Sequence, residues 1–473
     1  MEPLDLLGHF WFPGQPKGGQ YGRLTFDVVK GGSLDLNDDL GEFLPNGELH
    51  VAWGHSKRRI LGTVDTPEGR KKVTLIDCGS GTASRWYVNA LLIGDHFDSD
   101  SETCFDELIL RLDCLPAWVN QDSIESDMVG PLDGIDRKEF ELSLTRPPRS
   151  EAKDQEGRSV ALDFRWGRVE QRLEKLELQQ WPQIEIQYGQ YAGLDKLSKD
   201  ISSIYNFVAL CVDRAPRFQS IHLYRRDRPE LSLEGTPFPG TKRRVELKAR
   251  FDRFSENRGR RLTPDGVFAS FGDVGGIETL LSWLQLADSL GTVVGSLLTM
   301  RSQTYTENKF LNQVSAAEGL HRIAIGGSRM SPNVFRALKR HIRKTAVPRS
   351  QHDWFNELMS HANDPTLGER LNELASEMPA LVPLLVGDYE PWVRLVKKAR
   401  NLGTHLSETS FGGSPGDLLW LAESVFNFTR ASLLLRLGVP LSTLQRLIMK
   451  PDVQFATDRC ADVVGRLGGR SLP

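Results

Sequence analysis

"GGIETLLSWLQLADSLG", residues 275 to 291, is where the chain changes rhythm. Ahead of it, apolar residues alternate or come in short clusters. Within it and after it they recur at helical spacing. Reading this stretch as the first helix of a bundle divides the 473 residues into a β-rich front and a helical rear. A chain of this length exceeds one ordinary core, so more than one domain is expected.

Towards the N-terminus, "GRLTFDVV" and "SLDL" flank Gly31-Gly32 like the arms of a hairpin. "KVTLIDC", "RWYVNALLI", "ELILRLDCL" and "EFELSLT" follow at short intervals, broken by Gly, Asp, Asn and Pro. That spacing predicts a β-sandwich or barrel-like module. The polar stretch 147–159, "PPRSEAKDQEGRS", reads as a loop or minor boundary. Further strands follow in "VALDFRW", "VEQRLEKLELQQ", "QIEIQYG", "SIHLYRR" and "RRVELKARF", with one helix, "LDKLSKDISSIYNFVALCV", among them. Towards the C-terminus come "ENKFLNQVSAAEGLHRIAI", "PNVFRALKRHIRKTA", "HDWFNELMSHAND", "TLGERLNELASEM", "EPWVRLVKKARN" and "GDLLWLAESVFNFTRASLLLRLG". The last has Ser414 and Pro415 at its start, Gly438 just past its end and Pro440 beyond. The fold class is therefore α+β: residues 1–265 β-rich with a sub-boundary near 147–159, 275–450 an all-α bundle, and 451–473 a tail.

The net charge of −3 gives no global attraction to a polyanion, so any such binding must come from local patches. The start, "MEPLDLLGHFWFPGQ", has no basic segment ahead of an apolar run, so no secretory signal is expected there. No apolar run long enough to span a membrane is found. The five cysteines are widely spaced and include no CxxC pair, which predicts free thiols in a reducing cytoplasm and no cysteine zinc site.

Chemistry concentrates in "WVRLVKKARNLGTHLSE", residues 392 to 408. On one helix, Leu395, Val396, Ala399, Leu402 and Leu406 form an apolar stripe, with Arg400 and His405 on its opposite flanks. The two are about 140° and ~7.5 Å of rise apart, so a straight helix does not aim both at one small ligand. Either the helix unwinds at Gly403, or a second copy packs across the stripe and completes the cleft. An imidazole there is suited to moving the proton of a ribose 2′-hydroxyl, and a guanidinium to holding phosphate oxygens. Asn401 is placed to orient the histidine or hold a phosphate oxygen. Neither metal nor cofactor is required. The spacing alone is weak evidence, since Arg217 with His222 and Arg336 with His341 share it.

The setting resembles a HEPN domain (higher eukaryote and prokaryote nucleotide-binding), whose motif is Arg-polar-x3-His at the end of a bundle helix. "ARNLGTH" supplies Arg400, Asn401 and His405. "ENKFLNQVSAAEGLHR" and "GDLLWLAESVFNFTRASLLLRLG" resemble the opening and closing helices of that module. "GHFWFPGQ" and "GRLTFDVVKGGSLDL" resemble the N-terminal domain of ApeA-type proteins, which join such a region to a HEPN ribonuclease in bacterial anti-phage, abortive-infection systems. The resemblance implies a cytoplasmic, metal-independent endoribonuclease acting as a homodimer or higher homo-oligomer, with Arg400 and His405 catalytic and Asn401 assisting. It also implies a phage-derived trigger. Gly403 and Thr404 are less bulky than the family pattern expects, which leaves the local geometry open.

Two basic stretches are candidate RNA contacts. One is 242–261, including Arg243, Arg244, Lys248 and Arg250. The other is 336–349, with Arg336, Lys339, Arg340, Arg343 and Lys344 and no acidic residue. The acidic run 95–136 reads as a solvated surface, with docking of a basic partner or of the chain's own basic patches as the alternative. Glu318 and His321, one helical turn apart, read as a surface pair. Two other readings of function remain: a HEPN-fold module that grips RNA or protein without cutting, and a β-sandwich recognition protein whose helices only oligomerise it.

Overall fold

A computed structural model of the chain describes residues 3–40, 42–43, 49–50, 58–82, 84–122, 124–129, 139–172, 174–232, 235–250, 262–405 and 412–468. It divides into two compact units, Met1–Gly272 with Gly276–Leu281, and Asp273–Gly275 with Ser282–Pro473.

The first unit opens with β1 (Leu4–Trp11), β2 (Gln20–Asp27) and β3 (Gly31–Leu36). After the short pair β4 (Glu42–Phe43) and β5 (Leu49–His50) come β6 (Arg58–Thr66), β7 (Gly69–Thr82) and β8 (Arg85–Val88). β8 pairs with both β3 and β7, closing β1, β2, β3, β8, β7 and β6 into a six-stranded barrel. Alternate residues point inward, so Leu6, Phe10, Leu24, Phe26, Leu34, Val64, Val73, Leu75 and Trp86 share one core. Two inward glycines make room for large rings: a Cβ at Gly62 would strike Phe10, and one at Gly32 would strike Phe26. The expected hairpin exists, but Gly31 and Gly32 pair with Asp27 and Phe26 inside the ladder. The turn is made instead by Asp27, whose Oδ1 accepts from the backbone N–H of Val29 (2.8 Å) and Lys30 (3.0 Å).

From β7 the sheet continues beyond the barrel. Its further strands are β9 (Ala90–Ile93), β10 (Cys104–Leu112), β13 (Ser150–Lys153), β14 (Ser159–Arg172), β15 (Lys175–Gly193), β16 (Phe218–Tyr224) and β17 (Val245–Ala249). A separate hairpin is formed by β11 (Ile124–Val129) and β12 (Glu139–Leu144). The order beyond β7 is β9, β17, β16, β10, β15, β14, β13. After the short α1 (Leu115–Val119), helix α2 (Leu194–Val212) packs on β10 and β15. Leu197, Ile201, Ile204 and Val208 on that helix are buried, as are Leu108, Leu110, Ile184, Ile186, Ile221 and Leu223 on the sheet. Each such side chain removed from water contributes about 1.5–3 kcal/mol.

Three expectations are corrected here. "VEQRLEKLELQQ" is not one strand, because the chain reverses between Arg172 and Lys175 and the two halves pair. The Leu-Glu between them has no glycine or proline to mark a turn. The stretch 147–159 is neither a plain loop nor a boundary. It carries edge strand β13, and Arg149 reaches inward to Asp163 and Glu185, both buried on the sheet. Finally, part of the acidic run is internal. Asp95 is buried against Arg228 (2.8 Å) and Arg243 (2.9 Å), and Asp106 against Arg226 (3.2 Å) and Lys242 (3.5 Å). Those guanidinium contacts hold the Asp95 carboxyl below its ordinary value despite burial.

The helical part begins with α3 (Gly276–Leu290) and α4 (Thr292–Leu298). There follow α5 (Thr306–Ala324), α6 (Pro332–Thr345), α7 (His352–Leu358), α8 (Leu367–Ser376) and α9 (Val382–Val386). The last four are α10 (Tyr389–His405), α11 (Pro415–Arg436), α12 (Leu441–Ile448) and α13 (Pro451–Leu467). α11 is the axis of the bundle, buried almost all round and packed against α5, α9 and α13. Its start is fixed by a capping box, with Ser414 Oγ accepting from Asp417 N–H and Asp417 Oδ2 accepting from Ser414 N–H. Gly438, at φ +88°, ends it. The segment expected as a tail forms α13 and buries Val453, Ala456, Cys460, Val463 and Val464. Among the described residues no helix is long and apolar enough to cross a membrane.

Candidate active site

The fold presents the Arg400–His405 segment through α10. Trp392, Val393, Leu395, Val396 and Ala399 are buried on one side of it, while Arg394 and Lys397 are exposed on the other. Trp392 sets the rotation of the helix about its axis. Its Nε1–H donates to Ser424 Oγ on α11 at 2.8 Å, and its ring lies 5.4 Å from that of Phe428. With that face locked inward, position 400 emerges at the edge of the stripe. The Arg400 side chain is 39% exposed, and its Nη2 lies 4.0 Å from Glu318 Oε1 on α5. Asn401 beside it is exposed.

The backbone remains helical through Gly403 to His405. The unwinding considered from sequence does not occur there, so positions 400 and 405 keep about 140° and ~7.5 Å of separation. The side chain of His405 lies outside the described residues, as does Leu406.

Behind Arg400, the expected surface pair of Glu318 and His321 is taken apart. Glu318 turns to Arg400, and His321 is 0% exposed, facing α8. Arg370 Nη1 approaches His321 Nδ1 at 3.2 Å, and Glu373 Oε2 lies 2.5 Å from Nε2. A guanidinium can only donate, so Nδ1 accepts and Nε2–H donates to the carboxylate. Arg370, itself buried, also donates from Nε to Pro365 O at 3.0 Å. This chain of polar contacts ties α5 to α8 one helical turn from Glu318. Sequence reading missed these roles because the partners lie 49 and 52 positions away from His321. The available signal was a Glu and a His within the small and apolar run of residues 314–321 of α5.

The RNA-contact candidates separate into two groups. Arg243 is paired with Asp95, and Lys248 is buried with its ammonium 3.1 Å from Glu246. Neither forms part of a solvent-facing track, which corrects the sequence reading. Arg244 and Arg250 are exposed, and 251–261 lies outside the described residues. Arg336, Lys339, Arg340, Arg343 and Lys344 all lie on α6, which has no buried residue. At 100° per residue they occupy one sector of about 140°. Arg336 is used near its own helix start, donating to Asn333 Oδ1 at 2.5 Å, and Lys339 donates to Asn356 O at 3.1 Å. Arg340 and Lys344 are exposed.

Comparison with known families places this architecture. The family described as ApeA N-terminal domain 1 matches residues 5–276. The chain belongs to the ApeA family. A second family, described as Apea-like HEPN, matches residues 311–443, and so contains α6 to α11 and Arg400 to His405. No curated protein and no solved structure matches the chain. HEPN domains are generally nucleases, and a HEPN domain of the ApeA type supports an RNase-like role in defence.

Proposed function

We propose that this ApeA-family chain is a metal-independent endoribonuclease whose cleft is completed by a second copy. The observation that carries the reading is Arg400, half-exposed and held by Glu318, five positions ahead of His405 on one helix of the HEPN match. The unbroken helix keeps the two positions on opposite flanks, so two α10 helices facing each other would pair Arg400 of one chain with His405 of the other. His405 takes the 2′-hydroxyl proton as that oxygen attacks phosphorus, and the 5′-oxygen leaves with a proton in turn. Arg400 offsets the charge building on the phosphoryl oxygens, and Asn401 holds the substrate phosphate. The products carry a 2′,3′-cyclic phosphate and a 5′-hydroxyl, and DNA is spared for want of the attacking group.

The exposed cations of α6 supply RNA with a landing surface. The biological reading is cytoplasmic abortive defence, with the barrel and sheet restraining the nuclease until a phage-derived trigger arrives. The same α6 surface would also serve a protein that grips RNA without cutting it. The test is incubation of the full chain with RNA and analysis of the product ends. Cyclic phosphate termini are expected, with a rate falling about 10²–10⁴-fold in His405→Ala. Mixing Arg400→Ala and His405→Ala chains should restore part of the activity. Undiminished RNA binding with no cleavage in the wild type would leave the binder reading.

A further inference from the structure

The open sheet of the first unit has two unlike faces. One carries the apolar residues that meet α2, and the other is polar where it leaves the barrel. Register fixes which side chains share that polar face. His222 on β16 lies opposite Ile109 and Glu246, and Ser220 lies opposite Arg111. Lys248 on β17 lies opposite Leu91, a member of the barrel core, so the barrel's inner face runs directly into this polar surface. Tyr224 lies on the same face by alternation along β16, and Arg244, just ahead of β17, is near enough to act on His222.

We propose that this face, with Arg111, Ser220, His222, Arg244 and Lys248, binds the phosphoryl group of a small phosphomonoester. Three observations carry the assignment. Ser220 is 8% exposed, and its buried Oγ has no hydrogen-bond partner. Arg111, its register partner, has a buried Nε that is likewise unpartnered. Among the described residues the rest of that guanidinium meets only Gln219 Oε1 at 3.2 Å and the Trp181 ring at 4.4 Å, and burial alone pushes its pKa down. The Ser220 hydroxyl and the Arg111 Nε–H, on adjacent strands and each without an acceptor, are two donors waiting for one oxyanion.

The third observation is electrostatic. His222 is pushed down to about 4, chiefly by burial and then by Arg244, with Arg111 and Lys248 acting in the same direction and Glu246 opposing. Glu185, opposite Ile109, and Glu107, opposite Tyr224, stand on the same face, but cations from elsewhere already engage them, Arg149 and Arg165 on Glu185 and Lys242 on Glu107. Lys248 contributes from within the sheet, its ammonium shared with Glu246. A phosphate monoester brings two charges and three terminal acceptor oxygens to these donors, whereas a carboxylate brings one charge and two oxygens. The guanidinium supplies fixed, directional donors, and the neutral ring can donate one further N–H. The inference concerns the first unit and does not depend on the nuclease reading.

The test uses the full chain in a phosphate-free buffer near pH 7.5, with thermal unfolding and calorimetric titration as readouts. Inorganic phosphate should raise the unfolding temperature and give saturable heat, while acetate and chloride at equal ionic strength should not. Arg111→Gln should weaken phosphate at least about tenfold. Ser220→Ala is the sharper variant, because it removes a buried hydroxyl that has no partner. The unliganded protein should be no less stable, yet phosphate should bind several-fold more weakly. A merely structural Ser220 would give lost stability with unchanged phosphate affinity. Equal response to acetate, no response to phosphate, or wild-type phosphate binding in both variants would each overturn the proposal.

Discussion

Acidification offers a direct measure of how far the polar sheet face is withdrawn from water. The folded chain holds the His222 imidazole down to about 4, against about 6.5 in an unfolded chain. In the window between those values the unfolded state binds a proton that the folded state does not, so stability rises with pH across it. The contribution of this group is fully present above pH ~6.5 and is lost progressively as pH falls towards 4. Each tenfold difference in proton affinity is worth ~1.4 kcal/mol, so acidifying from pH 7 to 4.5 should remove about 2–2.5 kcal/mol. Asp95, whose pKa is lowered, loses its contribution below the ordinary carboxylate range and so acts beneath this window. The assay is urea unfolding followed by tryptophan fluorescence at pH 7, 6, 5 and 4.5, for wild type and His222→Gln. Other histidines titrate too, among them His96, also lowered by burial. The signal is therefore the difference between the two proteins, which should shrink by about 2 kcal/mol on acidification. A difference that stays constant with pH would mean that the ring is hydrated, and the argument for a desolvated cationic face would fail.

Four further outcomes follow from the geometry. Glu318→Gln removes a partly exposed ion pair at 4.0 Å, so stability should change by no more than ~1 kcal/mol. Single-turnover RNA cleavage should nevertheless fall about tenfold as Arg400 loses this contact, and an unchanged rate would remove Glu318 from the site. His321→Ala strands the buried Arg370 guanidinium and should lower the stability of the helical unit by about 3 kcal/mol in chemical denaturation. Arg340→Ala and Lys344→Ala should weaken RNA binding equally across sequences, each lowering the slope of log affinity against log salt by about 0.9 if each contacts one phosphate. Asp77→Gly relieves a left-handed backbone at φ +54° and should raise stability by up to about 1 kcal/mol, whereas Asp77→Val should lower it, both read from thermal unfolding.

Local pattern made much of this legible. The change of period at residue 275 coincides with the start of α3, and Ser414, Pro415 and Gly438 bracket α11 as their capping preferences require. Leu395, Val396 and Ala399 went to the core because their spacing makes one stripe. What stayed hidden was long-range. Nothing near Asp95 in sequence announces Arg228, 133 positions on, so a buried counter-ion looked like a solvated acid. Lys248 looked available for RNA because the pattern of a strand shows that it has two faces and not which of them is covered. The strand spacing pointed to a sandwich or a barrel without choosing between them, since β8, whose pairing makes the closure, is only four residues long and must find β3 from far along the chain.

That closure has a consequence for how the first unit holds together. β7 is a stave of the barrel along its whole length, and along Val73–Ile76 it is also the rung that joins the open sheet through β9. Ring and wing thus hang from one shared beam. A disturbance at the proposed phosphate face cannot loosen the wing without tugging on the ring, and a slip in the ring would misalign every strand out to β13.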